Sequence, residues 1–132
     1  MISYTILGTN DVGKAKAFYD EIMGLLSVPP HRWTSDTRLF YGSDAGPLFA
    51  VSKPYDGLEA SVGNGTMVAL IAASRAQVNA VHAKALALGG VDEGAPGIRG
   101  ANLNGYFNAY FRDLDGNKLC VSRFGPPDIE TK

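Results

Sequence analysis

The order strand, helix, short strands runs through this chain twice, and that repeat limits the folds open to it more than any other feature. Residues 2 to 8 read as a strand, with Ile2, Tyr4, Ile6 and Gly8 on one face and Ser3, Thr5 and Leu7 on the other. Asn10 or Asp11 then caps a helix whose apolar stripe is Val12, Ala15, Phe18, Tyr19 and Ile22, and Gly24 is placed to end it in a left-handed conformation. Three short strand candidates follow between Pro and Gly breaks: Leu25 to Val28, Thr37 to Tyr41, and Pro47 to Ser52. A turn-rich stretch over residues 54–65 reads as a linker, after which the pattern restarts with a strand over Thr66 to Ala73. Ser74 and Gln77 form a capping box, and Val78, Val81, Ala85 and Leu88 stripe a second helix that stops at Gly89-Gly90. A Gly/Pro-rich region (Gly94 to Gly97, Gly100) leads into two apolar-rich runs separated by Asp113-Leu114-Asp115-Gly116-Asn117, which predicts a hairpin.

Matching the halves puts the first strand at an offset of 63 residues, Tyr4 on Met67, and the last at 71, Phe49 on Cys120. The expected architecture is α+β, with two βαβββ modules over about residues 1–53 and 66–124 and a frayed tail at 125–132. Each sheet has one face for its helix, so the other faces are left to enclose a shared cleft. A ferredoxin-like single domain with extra strands is the alternative.

At 132 residues the chain has the length of one domain. Its net charge of −1, with Lys and Arg scattered, gives no electrostatic reason to expect nucleic acid or an anionic membrane as partner, and no apolar run approaches a membrane span. Cys120 is the single cysteine, which excludes an intrachain disulfide. The N-terminus opens directly on strand-like residues without the pattern of a secretion signal, so a cytoplasmic protein is expected.

Four stretches carry a resemblance: Asn10-Asp11-Val12 with Ala17-Phe18-Tyr19, Asn64 to Ala69, Ala83 to Gly97, and Asp113 to Lys118. In their order and spacing the chain resembles the vicinal oxygen chelate superfamily, which includes glyoxalase I, bleomycin-resistance proteins and extradiol dioxygenases. The resemblance implies a half-open mixed β-barrel around the cleft, and a homodimer. In the family's metal enzymes, His, Glu or Gln from the first and last strands of each module hold a divalent metal. Here those positions fall on Tyr4, Phe49, Met67 and Cys120, none of them a His or carboxylate, and the position of a further family His falls on Leu103 beside Asn104. Borderline and hard metal ions want imidazole and carboxylate, so no cofactor is expected, and a divalent metal only if this alignment is wrong.

The residues then point to a small molecule as partner. Tyr4, Arg38, Phe40, Phe49, Met67, Tyr106, Tyr110 and Cys120 are the candidate ligand-binding set, suited to an apolar or planar aromatic ligand with a polar or anionic handle, or equally to a filled core. If the chain is instead a lyase, isomerase or dioxygenase, Tyr4, Cys120 and His82 are the candidate catalytic residues. His82 borders a packed helix face, where a histidine is more often a packing residue. His31 follows Pro29-Pro30 in a loop with Arg32 and Trp33, where a surface role is the usual one and the rim of the cleft mouth the alternative. A third reading, an interaction domain, requires the cleft to be packed shut.

Overall fold

The computed structural model describes residues 1–129. Its elements are β1 (Tyr4–Gly8), α1 (Val12–Leu25), β2 (Arg38–Tyr41), β3 (Leu48–Ser52), β4 (Val68–Ile71), α2 (Arg75–Ala87), β5 (Val91–Arg99), β6 (Tyr106–Arg112) and β7 (Lys118–Phe124). They form two mixed sheets, ordered β1-β3-β2 and β4-β7-β6-β5, in which the first strand of each module runs parallel to the last. No ladder joins the sheets among the described residues, so β1 and β4 each keep a free edge and the barrel is not closed within the chain.

Both helices start where the sequence predicts. Asp11 accepts a hydrogen bond from Lys14 N (3.0 Å), Ser74 Oγ accepts from Gln77 N (3.1 Å), and Gln77 Oε1 reaches back to Ala73 N (2.7 Å). The helices pack on each other, and the sheet faces against them meet in one core. Phe18 of α1 lies in it with its ring 6.3 Å from Phe111 of β6, next to Leu39, Val51, Val78, Val81, Leu119 and Val121. The opposite face of each sheet is open.

The structure corrects three readings. The stretch Leu25 to Val28 is not a strand, because α1 runs through Gly24 and ends at Leu25. Ser27 takes the left-handed conformation (φ 58°), Val28 N donates to Met23 O (2.9 Å) and Ser27 N to Gly24 O (3.1 Å), which closes the helix as a Schellman cap. The following Pro29-Pro30 offers no N–H to a ladder, and only an isolated bridge from Pro30 to Tyr41 forms. The first module therefore has three strands. In the second, the Gly/Pro-rich region is strand β5, paired with β6 across register shifts between Asp92 and Gly97 that absorb its irregular residues. The tail, expected to fray, is held as far as Asp128: its carboxylate accepts from Arg75 N (2.8 Å) and Ala76 N (2.9 Å) at the start of α2. The remainder of the expected tail, residues 130–132, lies outside the described residues.

The helix end yields the first testable result. Gly24 is exposed and helical, and a Cβ there would meet nothing within 4 Å among the described residues beyond its own helix backbone, so Gly24→Ala is expected to stabilise the protein by about 0.5–1 kcal/mol. Ser27→Gly is expected to stabilise by a similar amount, about 1 kcal/mol, by relieving the left-handed serine. Chemical denaturation checks both, and destabilisation by Gly24→Ala would return the helix stop to Gly24.

Candidate functional site

Strand alternation and register decide which side chains reach the open faces. In the first sheet β1 presents Tyr4, Ile6 and Gly8, beside Leu48, Ala50 and Ser52 of β3 and Arg38 and Phe40 of β2. Tyr4 and Ile6 are about half exposed, at 52% and 49%, while Leu48, Ala50 and Phe40 are buried. Trp33 sets its ring edge-on to Phe40 with centroids 6.0 Å apart, and His31 sets its ring against Trp33 at 4.7 Å. The loop carrying His31, Arg32 and Trp33 thus folds against the open face. His31 Nδ1 accepts Trp33 N–H (3.2 Å), so Nε2 carries the proton and donates to Asp44 Oδ1 (2.6 Å). That hydrogen bond, and a second from Arg32, hold the Asp44 carboxyl below its ordinary pKa.

The second sheet's open face is more polar. From β6 it takes Tyr106, Asn108 and Tyr110, and from β7 Lys118, Cys120 and Ser122, with Ala69 and Ile71 of β4 alongside. On β5 the positions opposite Tyr110 and Asn108 are Gly94 and Gly97. Without side chains there, Arg99 lies back along the strand: a Cβ on Gly97 would stand 3.1 Å from its Nη1, and one on Gly94 only 2.8 Å from the Tyr110 ring. Arg99 donates to Ala95 O (2.7 Å) and places its guanidinium 5.2 Å from the Tyr110 centroid. The Lys118 ammonium lies 5.7 Å from the same ring. Neither cation has a carboxylate partner among the described residues, whereas Arg112 is paired with Glu93 at 2.9 Å. Burial pushes the Cys120 thiol up from its ordinary pKa, against the pull of Arg99, the Tyr110 hydroxyl and Lys118, so it stays protonated at neutral pH.

The candidate residues therefore fall into three places. Tyr4, Arg38 and Phe40 share the first open face, and Tyr106, Tyr110 and Cys120 the second. Phe49 is on neither: its ring packs 5.1 Å from Tyr19 of α1, in the core, and Leu48 and Ala50 hold the open face of β3. Opposite Ile6 stands Ala50 and opposite Ala69 stands Cys120, so the modules match at an offset of 70 on their last strands, not 71. A single-residue slip turned the wrong face outward. Phe49 instead bounds an apolar groove of ≈ 450 Å³ between the β1 and β4 edges, with Met23 and Leu26 near it and Met67 to Ile71 on the far wall. His82 is buried on α2, its Nε2 3.0 Å from Asp92 Oδ1 on β5, away from both open faces. That bond holds the Asp92 carboxyl below its ordinary pKa.

Sequence reasoning missed Arg99, Lys118 and Asn108. Lys118 carried a signal, since it alternates with Cys120, but Arg99 sits in a segment with no period-two pattern and is placed only by its pairing with β6.

A βαββ module followed by a βαβββ module, each with its first strand parallel to its last, defines a glyoxalase-like fold. A family model described as Glyoxalase/Bleomycin resistance protein/Dioxygenase superfamily matches residues 1–121, and the chain belongs to that superfamily. The crystal structure of a glyoxalase/bleomycin resistance protein from Albidiferax ferrireducens T118 is 37% identical, covers 92% of this chain and 97% of its own, and superposes with a TM-score of 0.82. A glyoxalase-related enzyme from Fulvimarina pelagi is 19% identical with a TM-score of 0.70 over 92% of this chain and 86% of its own. A glyoxalase/bleomycin resistance protein/dioxygenase family enzyme from Burkholderia phytofirmans PsJN is 16% identical with a TM-score of 0.68 over 91% and 95%. No curated protein matches.

The family implies a divalent metal, and the donors do not fit one. With the register corrected, the positions are Tyr4, Ala50, Met67 and Cys120: a phenol, a methyl, a thioether and a protonated thiol. Among the described residues no three of His, Cys, Asp and Glu come together elsewhere.

Proposed function

We propose that this chain binds a small planar aromatic acid without a metal, on the open face of its second sheet. The observation that supports this is Tyr110, an aromatic surface with two cations, Arg99 and Lys118, within 6 Å of its ring and without a carboxylate partner among the described residues. A carboxylate there gains two charge partners, and the ring it carries gains Tyr110 to stack on. The other wall comes from a second copy. Large apolar side chains stand exposed on both open faces, Tyr4, Ile6 and Trp33 on one and Ile71, Tyr106 and Phe124 on the other, and both sheets leave an edge strand unpaired. A homodimer that sets one copy's first sheet against the other's second covers these surfaces and encloses the ligand.

Calorimetric titration with benzoate tests the reading, on protein sedimenting at twice the 14.0 kDa chain mass. Benzoate is expected to bind, and Arg99→Ala or Lys118→Ala to weaken it by about tenfold each, the loss of roughly one charge-assisted hydrogen bond. Wild-type affinity in both variants would rule the site out.

A further inference from the structure

Resting on that reading, we infer that Asn108 is a specificity residue that selects aromatic acids bearing a hydrogen-bond donor opposite the carboxylate. Asn108 is 9% exposed, its Nδ2 faces the Tyr110 hydroxyl at 3.4 Å, and its Oδ1 is buried with no partner among the described residues. A buried acceptor without a donor is costly, and in a binding face it marks where a ligand completes the bonding.

The register places this acceptor. Along the second sheet, Lys118 stands one row before the Tyr110–Cys120 pair and Asn108 with Ser122 one row after it. The Lys118 and Arg99 charges lie within 6 Å of the Tyr110 ring and the Asn108 amide stands 3.4 Å from its hydroxyl, so a ligand ring laid on Tyr110 runs from the cations toward Asn108. An acid held at Lys118 and Arg99 therefore directs its para substituent at Asn108 Oδ1. Arg99 adds a coupling. It lies across Gly97, the residue opposite Asn108, so its movement onto a ligand carboxylate clears space beside the amide for the para group.

The test compares benzoate, 4-methoxybenzoate and 4-hydroxybenzoate by calorimetry on the full chain and on Asn108→Ala and Asn108→Asp. The wild type is expected to bind 4-hydroxybenzoate about tenfold more tightly than the other two, since only it donates a hydrogen bond. Asn108→Ala should reduce that ratio to about one with benzoate affinity little changed. Asn108→Asp, of the same shape and still an acceptor, should weaken all three acids yet keep the preference, which covers the case in which the alanine variant does not fold. Equal binding of the three acids by the wild type overturns the inference and leaves the aromatic-acid reading standing. An unchanged ratio in Asn108→Ala overturns it too, and failure of all three acids to bind overturns both.

Discussion

Asp113→Ala is expected to cost about 3 kcal/mol of folding stability and to lower the melting temperature by roughly 10 °C. The carboxylate is buried in the β6–β7 turn and has every acceptor position engaged: Tyr19 Oη donates to Oδ2 at 2.5 Å, Asn117 Nδ2 to Oδ2 at 2.9 Å, and the Asp115 and Asn117 backbone N–H groups to Oδ1 at 2.9 Å. Tyr19 belongs to α1, and Asn117 Nδ2 also reaches Gly8 O of β1 (2.9 Å), so this turn of the second module fastens the first. Burial raises the Tyr19 phenol well above its ordinary pKa, and the charge and hydrogen bond of Asp113 raise it further. Stability from this pair is thus complete below the ordinary tyrosine pKa, about 10, and falls as pH climbs above it. Alanine leaves four donors without their acceptor, which is why the loss exceeds that of an ordinary turn aspartate. Chemical denaturation measures it, with Asp115→Ala, which frees only the exposed Asn10 N–H and is expected to cost about 1 kcal/mol, as the comparison. A loss at Asp113 no larger than that at Asp115 would mean water replaces the carboxylate and the turn does not fasten the modules.

The sequence made this turn visible as a hairpin signal but not as a fastener, because Asp-Gly chemistry is local and the Tyr19 contact spans 94 residues. The same division runs through the molecule. Caps at Asp11 and Ser74 and both helix stripes were legible, since each is decided within four residues of chain. Strand β5 was not: Gly94, Pro96 and Gly97 erase alternation, and pairing with β6 supplies what propensity lacks. That omission hid Arg99, and with it the guanidinium of the proposed site, leaving Arg38 on the other sheet as the only arginine among the candidates. The aromatic members Tyr106 and Tyr110 were found because β6 alternates cleanly. Whether a core or a cleft receives a residue is a matter of parity, and parity on β3 was lost by one residue between Gly46-Pro47 and Leu48.

That single residue gives a large and specific expectation for Phe49. As a cleft residue, Phe49→Ala would weaken ligand binding and leave the fold nearly untouched. In the core it is 7% exposed, against Tyr19 at 5.1 Å, so Phe49→Ala is expected to cost about 3–4 kcal/mol of stability while benzoate affinity stays within about twofold. The cost combines the lost transfer of a phenyl group with the cavity left beneath Tyr19, which α1 cannot fill because Phe18 and Ile22 are themselves fixed in the same core. Ala50 is the complementary probe. It is fully buried on the open side and stands at the position matching Cys120, so Ala50→Leu is expected to crowd Phe40 and Leu48 and to weaken the proposed dimer rather than the core. Denaturation, sedimentation and calorimetry on the two variants separate the faces. If Phe49→Ala loses ligand and keeps its stability, β3 is turned the other way and the open face belongs to Phe49.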